Sequence, residues 1–192
     1  MMVLTIGLLL FLGAHSIRVF ADDWRAKQVK RLGEGRWKAL YTLASLFGFG
    51  LLIWGFVLAR SESVDLWTPP KAMRHVAAGL TLLAFVLVAA AYVPGNRIKA
   101  HVGHPMVLGT MMWAIGHLLA NGLLAHLELF GAFLLWAAVD FSSLRRRDRA
   151  AGRRYPALGL RRDALAVGVG LIAWALFAIF GHKWLIGVQP LG

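Results

Sequence analysis

HPMVLGTMMWAIGHLLANG, His104–Gly122, is apolar enough to lie in a bilayer, yet it carries a histidine and an asparagine in its interior. His117 and Asn121 are four residues apart and so share one helix face; Met106, Thr110 and Trp113 recur on the same side at spacings of three and four. Pro105 suits the first position of a helix, where its missing N–H would be unpaired anyway. Asn121-Gly122 is a turn signal. The apolar run continues to Phe141, 36 residues from Met106. As one helix it would measure about 54 Å, far beyond a hydrocarbon core of about 30 Å. The Asn-Gly pair therefore divides it into two antiparallel spans, the first of them short. A histidine inside such a span is costly without a partner and is a candidate functional group by default.

Outward from this pair, apolar runs near the length a bilayer requires recur along the chain. The expected spans are residues 2–20, 39–59, 75–93, 106–120, 123–141 and 164–182. The expected fold is all-α: a polytopic integral membrane helical bundle of about six transmembrane helices, forming one domain over residues 1–192. Gly7 and Gly13 in the first span permit close approach of a neighbouring helix or a flat ligand; Gly48, Gly50 and Gly55 lie within the second. The first run ends in HSIRVF and not in a small-residue cleavage site, so it reads as a retained helix. Arg25–Lys38 is basic and flanked by Trp24 and Trp37, which predicts an amphipathic segment on the membrane surface. Pro69-Pro70 marks a polar loop, and Pro94-Gly95-Asn96 ends the third span. Ser142–Asp163, with eight arginines, reads as a solvated loop lying against anionic headgroups.

Composition agrees. The hydrophobic fraction is 59% and the mean hydropathy +0.65, both too high for an ordinary soluble domain. The net charge of +12 does not point to nucleic acid, because the cations cluster between apolar runs. With no cysteine, the chain has no disulfide, iron–sulfur cluster or thiolate metal site. Alternate connections hold 17 and 4 of the lysines and arginines. The positive-inside rule then puts the basic loops in the cytoplasm and both termini outside.

From residue type alone, His117 is either a ligand or a structural histidine bonded to a neighbouring helix, with Asn121 in support. His15 is either a ligand or an interfacial histidine near the basic end of its span. A family resemblance bears on the choice. His104-Pro105, Trp113 and HLLANG (His117–Gly122), with FLGAHSIR (Phe11–Arg18) and HKWLIGV (His182–Val188), resemble the signature of the NnrU family of bacterial membrane proteins. The two histidine motifs are also similar to those of 15-cis-zeta-carotene isomerase, a haem b membrane enzyme of the same wider family. The resemblance implies haem b as cofactor, with His15 and His117 as its iron ligands and Trp113 and Asn121 beside them. It implies the inner membrane of a bacterium and a redox or electron-transfer role in denitrification, the metabolism of nitrite and nitric oxide. Nitric oxide reductase or another respiratory membrane protein is then the expected partner, beside the lipid bilayer itself. The isomerase has a cysteine three residues before its second histidine; here that position is Ala114, which puts the isomerase's redox switch in doubt.

Two other function classes stay open. One is a haem-dependent isomerase of a polyene or other isoprenoid lipid. The other is a non-haem assembly factor for nitric oxide reductase, in which the histidines are helix glue. His104-Pro105 is distantly similar to a motif of membrane isoprenylcysteine methyltransferases, but no Gly-rich nucleotide fingerprint accompanies it. Glu128 is either a helix-pairing carboxylate or a proton relay, with His126 near it in sequence. His182 reads as interfacial. No Ser-His-Asp set or HExxH motif supports hydrolysis.

Overall fold

The computed structural model describes residues 1–191 and is helical almost throughout. Its helices are α1 (Met2–Phe20), α2 (Asp22–Leu32), α3 (Glu34–Ser61), α4 (Ala72–Tyr92), α5 (Arg97–Val102), α6 (Pro105–Ala120), α7 (Leu124–Ala150) and α8 (Leu160–Leu176). A π turn, Phe177–Gly181, joins α8 to α9 (His182–Ile186). α1, α3, α4, α7 and the α8–α9 rod are long and apolar enough to cross a membrane, and α6 is a shorter apolar helix of 16 residues. The protein is thus a polytopic helical membrane protein. Its many exposed apolar side chains, such as Leu9 at 70% and Leu135 at 69%, are what a lipid-facing surface requires.

The chain forms two compact units that interleave in sequence: Met1–Trp67 with Gly122–Trp136, and Thr68–Asn121 with Ala137 onward. In the first, α1 and α3 run antiparallel with backbones in contact. A Cβ on Gly7 would stand 2.5 Å from Leu52 N, and one on Gly48 2.8 Å from Phe11 N; Gly55 faces Leu4 in the same way. Lipid removes the hydrophobic drive for helices to associate, so dispersion across such close crossings supplies the attraction. Of the two glycines expected to permit close approach, Gly7 does so and Gly13 does not: a Cβ on Gly13, as on Gly50, would meet nothing within 4 Å. After α3 the chain covers the start of α7. Ser63 Oγ accepts the Ala125 N–H at 2.9 Å, and the Val64 carbonyl accepts the Leu124 N–H at 3.0 Å. Two of the donors that every helix start leaves open are met this way.

In the second unit, α4 lies between α6 and α8. Gly109 and Gly116, two turns apart on α6, put would-be Cβ atoms 2.9 Å from the Ala84 carbonyl oxygen and 3.3 Å from that of Ala77. Gly170 on α8 approaches Val86 Cα at 2.5 Å by the same measure, and the Trp174 indole donates to Thr81 Oγ1 at 3.1 Å. Buried Ala84, Ala90, Ala114 and Ala166 keep these crossings narrow.

One connection differs from expectation, and a second, expected as an amphipathic segment, is a helix. The arginine-rich stretch begins as helix: α7 continues to Ala150, leaving only residues 151–159 irregular before α8. Arginine is a good helix former, and cations in a last turn complement the helix dipole. The basic stretch after α1 is helical as well, as α2, which has no buried residue and meets α3 at Gly33 with φ +81°. Trp24 and Trp37 pack edge-on at 5.8 Å across that junction.

Candidate functional site

His15 and His117 belong to different units, and each has its own surroundings. His15 lies on α1, half-buried, with Nδ1 2.7 Å from the Phe11 carbonyl oxygen. A carbonyl only accepts, so Nδ1 carries the hydrogen and Nε2 holds the lone pair. Metal-binding histidines are oriented in this manner. Phe11 lies 4.4 Å from the imidazole between ring centres, Tyr41 5.5 Å and Trp136 6.1 Å, the last perpendicular to it. The Trp136 Nε1–H is buried without a hydrogen-bond partner, and so is Ser45 Oγ. The antiparallel register of α1 and α3 sets Ser45 across from Ala14, one residue from His15. Buried polar atoms are seldom left unpaired, and when they are they mark a place for something polar.

His117 repeats the arrangement on α6. Its Nδ1 is 2.8 Å from the Trp113 carbonyl oxygen, and the Trp113 ring lies 5.2 Å away. Asn121 is the residue after the last turn, in an extended conformation; its side-chain amide donates to the His117 carbonyl at 2.8 Å. That carbonyl is one of the last four, which lack a helical N–H. Asn121 therefore fixes the end of α6 beneath His117 through the backbone. The turn spacing that marks these residues in the sequence is the spacing that connects them here. Ala114, three residues before His117, is fully buried.

The pattern by itself does not single out a ligand, because exposed His182 also ties Nδ1 to a carbonyl, that of Val188, at 2.7 Å. Position separates them: His15 and His117 sit inside apolar helices, whereas His182 anchors the chain end. Among the described residues no group of three or more His, Cys, Asp or Glu could hold a bare metal ion. A haem requires no such group, since its macrocycle brings four nitrogens and the protein adds axial donors. The donor chemistry at both histidines fits that demand, and the unpartnered indole and hydroxyl near His15 would suit the group's polar edge. Glu128 accepts a hydrogen bond from Thr5, as a helix-pairing carboxylate does.

Sequence reasoning missed a second polar cluster. His104 stands at the N-cap position of α6 without a side-chain capping bond; its Nε2 lies 2.8 Å from Asp148 Oδ2 without hydrogen-bond geometry, both side chains largely buried. The Tyr155 hydroxyl donates to the same oxygen at 2.9 Å, and the Tyr155 ring lies edge-on to His104 at 5.8 Å. Only tertiary placement joins residues so distant in sequence. Burial pushes the Tyr155 phenol above its ordinary value; Asp148 adds to the rise by hydrogen bond and charge, and Arg153 opposes it. The folded protein thus holds this proton more tightly. The tie contributes fully below the ordinary phenol value of about 10 and is lost as pH rises through the raised one. In a phenolate absorbance titration, Tyr155→Phe is expected to remove a late step.

A comparison with curated proteins gives no match, and neither does one with solved structures. A family model does match: that of the NnrU protein family, over residues 3–190, which takes in α1 and His15, α6 and His117, and the His182 segment alike. The chain belongs to the NnrU family.

Proposed function

We propose that this protein binds haem b in the inner membrane of a bacterium, that His15 and His117 would hold its iron, and that its basic loops lie in the cytoplasm. Its role is redox or electron transfer in the metabolism of nitrite and nitric oxide. The observation that carries the reading is the position of the two histidines inside apolar helices, where each donates Nδ1–H to the carbonyl four residues earlier, so that the lone pair is on Nε2. The link to denitrification comes from the family resemblance, and nitric oxide reductase or another respiratory membrane protein is the partner that role requires. Held by two histidines, the haem would supply a one-electron couple.

The chain's own residues then have definite tasks. The Phe11 and Trp113 carbonyls fix which imidazole nitrogen is the donor and hold each ring against rotation. Phe11, Tyr41 and Trp136 keep water from the His15 ring. Trp113 covers one side of His117, and Asn121 stops α6 from fraying beneath it.

Optical spectra of the full chain, purified in mild detergent from haem-replete cells, test this. The parent is expected to give a six-coordinate low-spin b-type spectrum, lost or converted to high spin by His15→Ala and by His117→Ala. His182→Ala, which breaks a tie of the same geometry, is expected to leave it unchanged. A high-spin parent would favour the isomerase class, which needs an open position. A folded, monodisperse, haem-replete parent with no Soret band would sink the proposal and leave the assembly-factor class standing.

A further inference from the structure

The basic end of α7 carries two adjoining recesses. One, of about 620 Å³, is walled by Ala138, Val139 and Phe141 and rimmed by Arg145, Arg146 and Arg149. The other, of about 460 Å³, shares Arg145 and Arg149 and continues along Asp148, Arg153, Arg154 and Tyr155. Asp148, one of two carboxylates on this part of α7 with Asp140, accepts a hydrogen bond from Tyr155 and has His104 Nε2 2.8 Å away. None of the ion pairs formed by the described residues involves Arg145, Arg146 or Arg149. Three guanidinium charges therefore flank a shallow, open depression along α7 whose other end is apolar. Arg145 is half-buried, and a Cβ on Gly103, which has φ +77°, would stand 3.1 Å from its Nη1. The corner between α5 and α6 thus lies against that guanidinium, restricting its freedom before any ligand arrives.

We infer that this groove binds an anionic glycerophospholipid, its phosphate held by Arg145 and Arg149 and an acyl chain laid along Ala138, Val139 and Phe141. The guanidinium fork matches a phosphate in bidentate fashion. The groove lies where α7 passes from apolar to basic sequence, the level of lipid phosphates, and basic clusters at that level recognise acidic lipids. A free anion would leave the apolar wall unused, and a zwitterionic lipid would leave the cationic rim uncompensated. The site stands on the second unit alone and does not depend on haem.

The test titrates the full chain, delipidated in mild detergent, with phosphatidylglycerol or phosphatidylcholine, and counts bound lipid by native mass spectrometry. Phosphatidylglycerol is expected to bind at least about tenfold more tightly, and Arg145→Gln/Arg149→Gln to remove about tenfold of that affinity. Arg161→Gln/Arg162→Gln removes equal charge elsewhere and is expected to cost less than about threefold. Val139→Trp fills the apolar wall without altering charge and is expected to weaken binding as well. Equal binding of the two lipids, equal loss in the two double variants, or displacement by millimolar inorganic phosphate with Val139→Trp silent would each overturn the assignment. Helical circular dichroism and a single elution peak qualify each variant. If the double variant does not fold, Arg149→Gln and Val139→Trp decide the matter.

Discussion

Gly55→Leu is expected to disrupt the α1–α3 pair and cost about 3 kcal/mol or more, since overpacking usually costs about 1–3 kcal/mol even where the obstruction is a movable side chain. At Gly55 the obstruction is backbone: a Cβ there would overlap Leu4 N and Cα. The only relief is to part the helices, which also loosens the crossings at Gly7 and Gly48. Leu4, fully buried, and Leu8 would lose their packing as well. Gly50→Leu is the matched control. Nothing stands within 4 Å of its Cβ position, and leucine is the better helix former by somewhat less than about 1 kcal/mol. Thermal unfolding of the two variants in detergent measures the contrast. Equal melting temperatures would show that the helices do not cross at these glycines.

Asn96→Leu is expected to cost about 3 kcal/mol, because a side chain of similar size leaves three backbone groups without partners, each worth about 1–3 kcal/mol when buried. Asn96 is fully buried. In an unbroken helix the Ala90 carbonyl would receive the N–H of residue 94, but that residue is Pro94, which has none. The Asn96 amide takes its place, donating to the Ala90 carbonyl at 2.7 Å and also to that of Val93. Its oxygen meanwhile caps α5 by accepting the Lys99 N–H at 2.7 Å. One side chain therefore ends α4 and begins α5. Asn96→Ser keeps an oxygen for the cap and no amide, so it should fall between Leu and the parent. Chemical denaturation of the three proteins orders them. A serine variant no better than leucine would place the whole effect on the α4 side.

The spans are legible because the bilayer makes length and hydrophobicity decisive, and the short α6 because Pro105 and Asn121-Gly122 punctuate it. Helix ends are less so. Ser142–Ala150 reads as loop by charge, whereas arginine's helix propensity carries α7 through it. His15 and His117 stand out as polar groups in apolar helices, and the four-residue spacing by itself links Trp113, His117 and Asn121. What a linear pattern does not express is pairing across the chain: Ser45 and Trp136 near His15, or His104 with Asp148 and Tyr155. Asn96 does have a local signal, an asparagine two residues after a helix-ending proline and just before RIKAHV, but nothing in that signal tells that its amide turns back to Ala90.

The interleaving of the two units bears on how the molecule could be made in pieces. A split at residue 67, between the second and third spans, looks natural on a hydropathy plot. It would produce a first fragment that holds α1 and α3 but lacks the first turns of α7, with Thr5 deprived of Glu128 and Ser63 and Val64 of the N–H groups they accept. The second fragment would carry those turns as an unclaimed appendage. Co-expression of the halves is thus a complementation assay and not the production of two self-sufficient modules. During synthesis, likewise, the first hairpin must wait for more than fifty further residues before its last partner is translated.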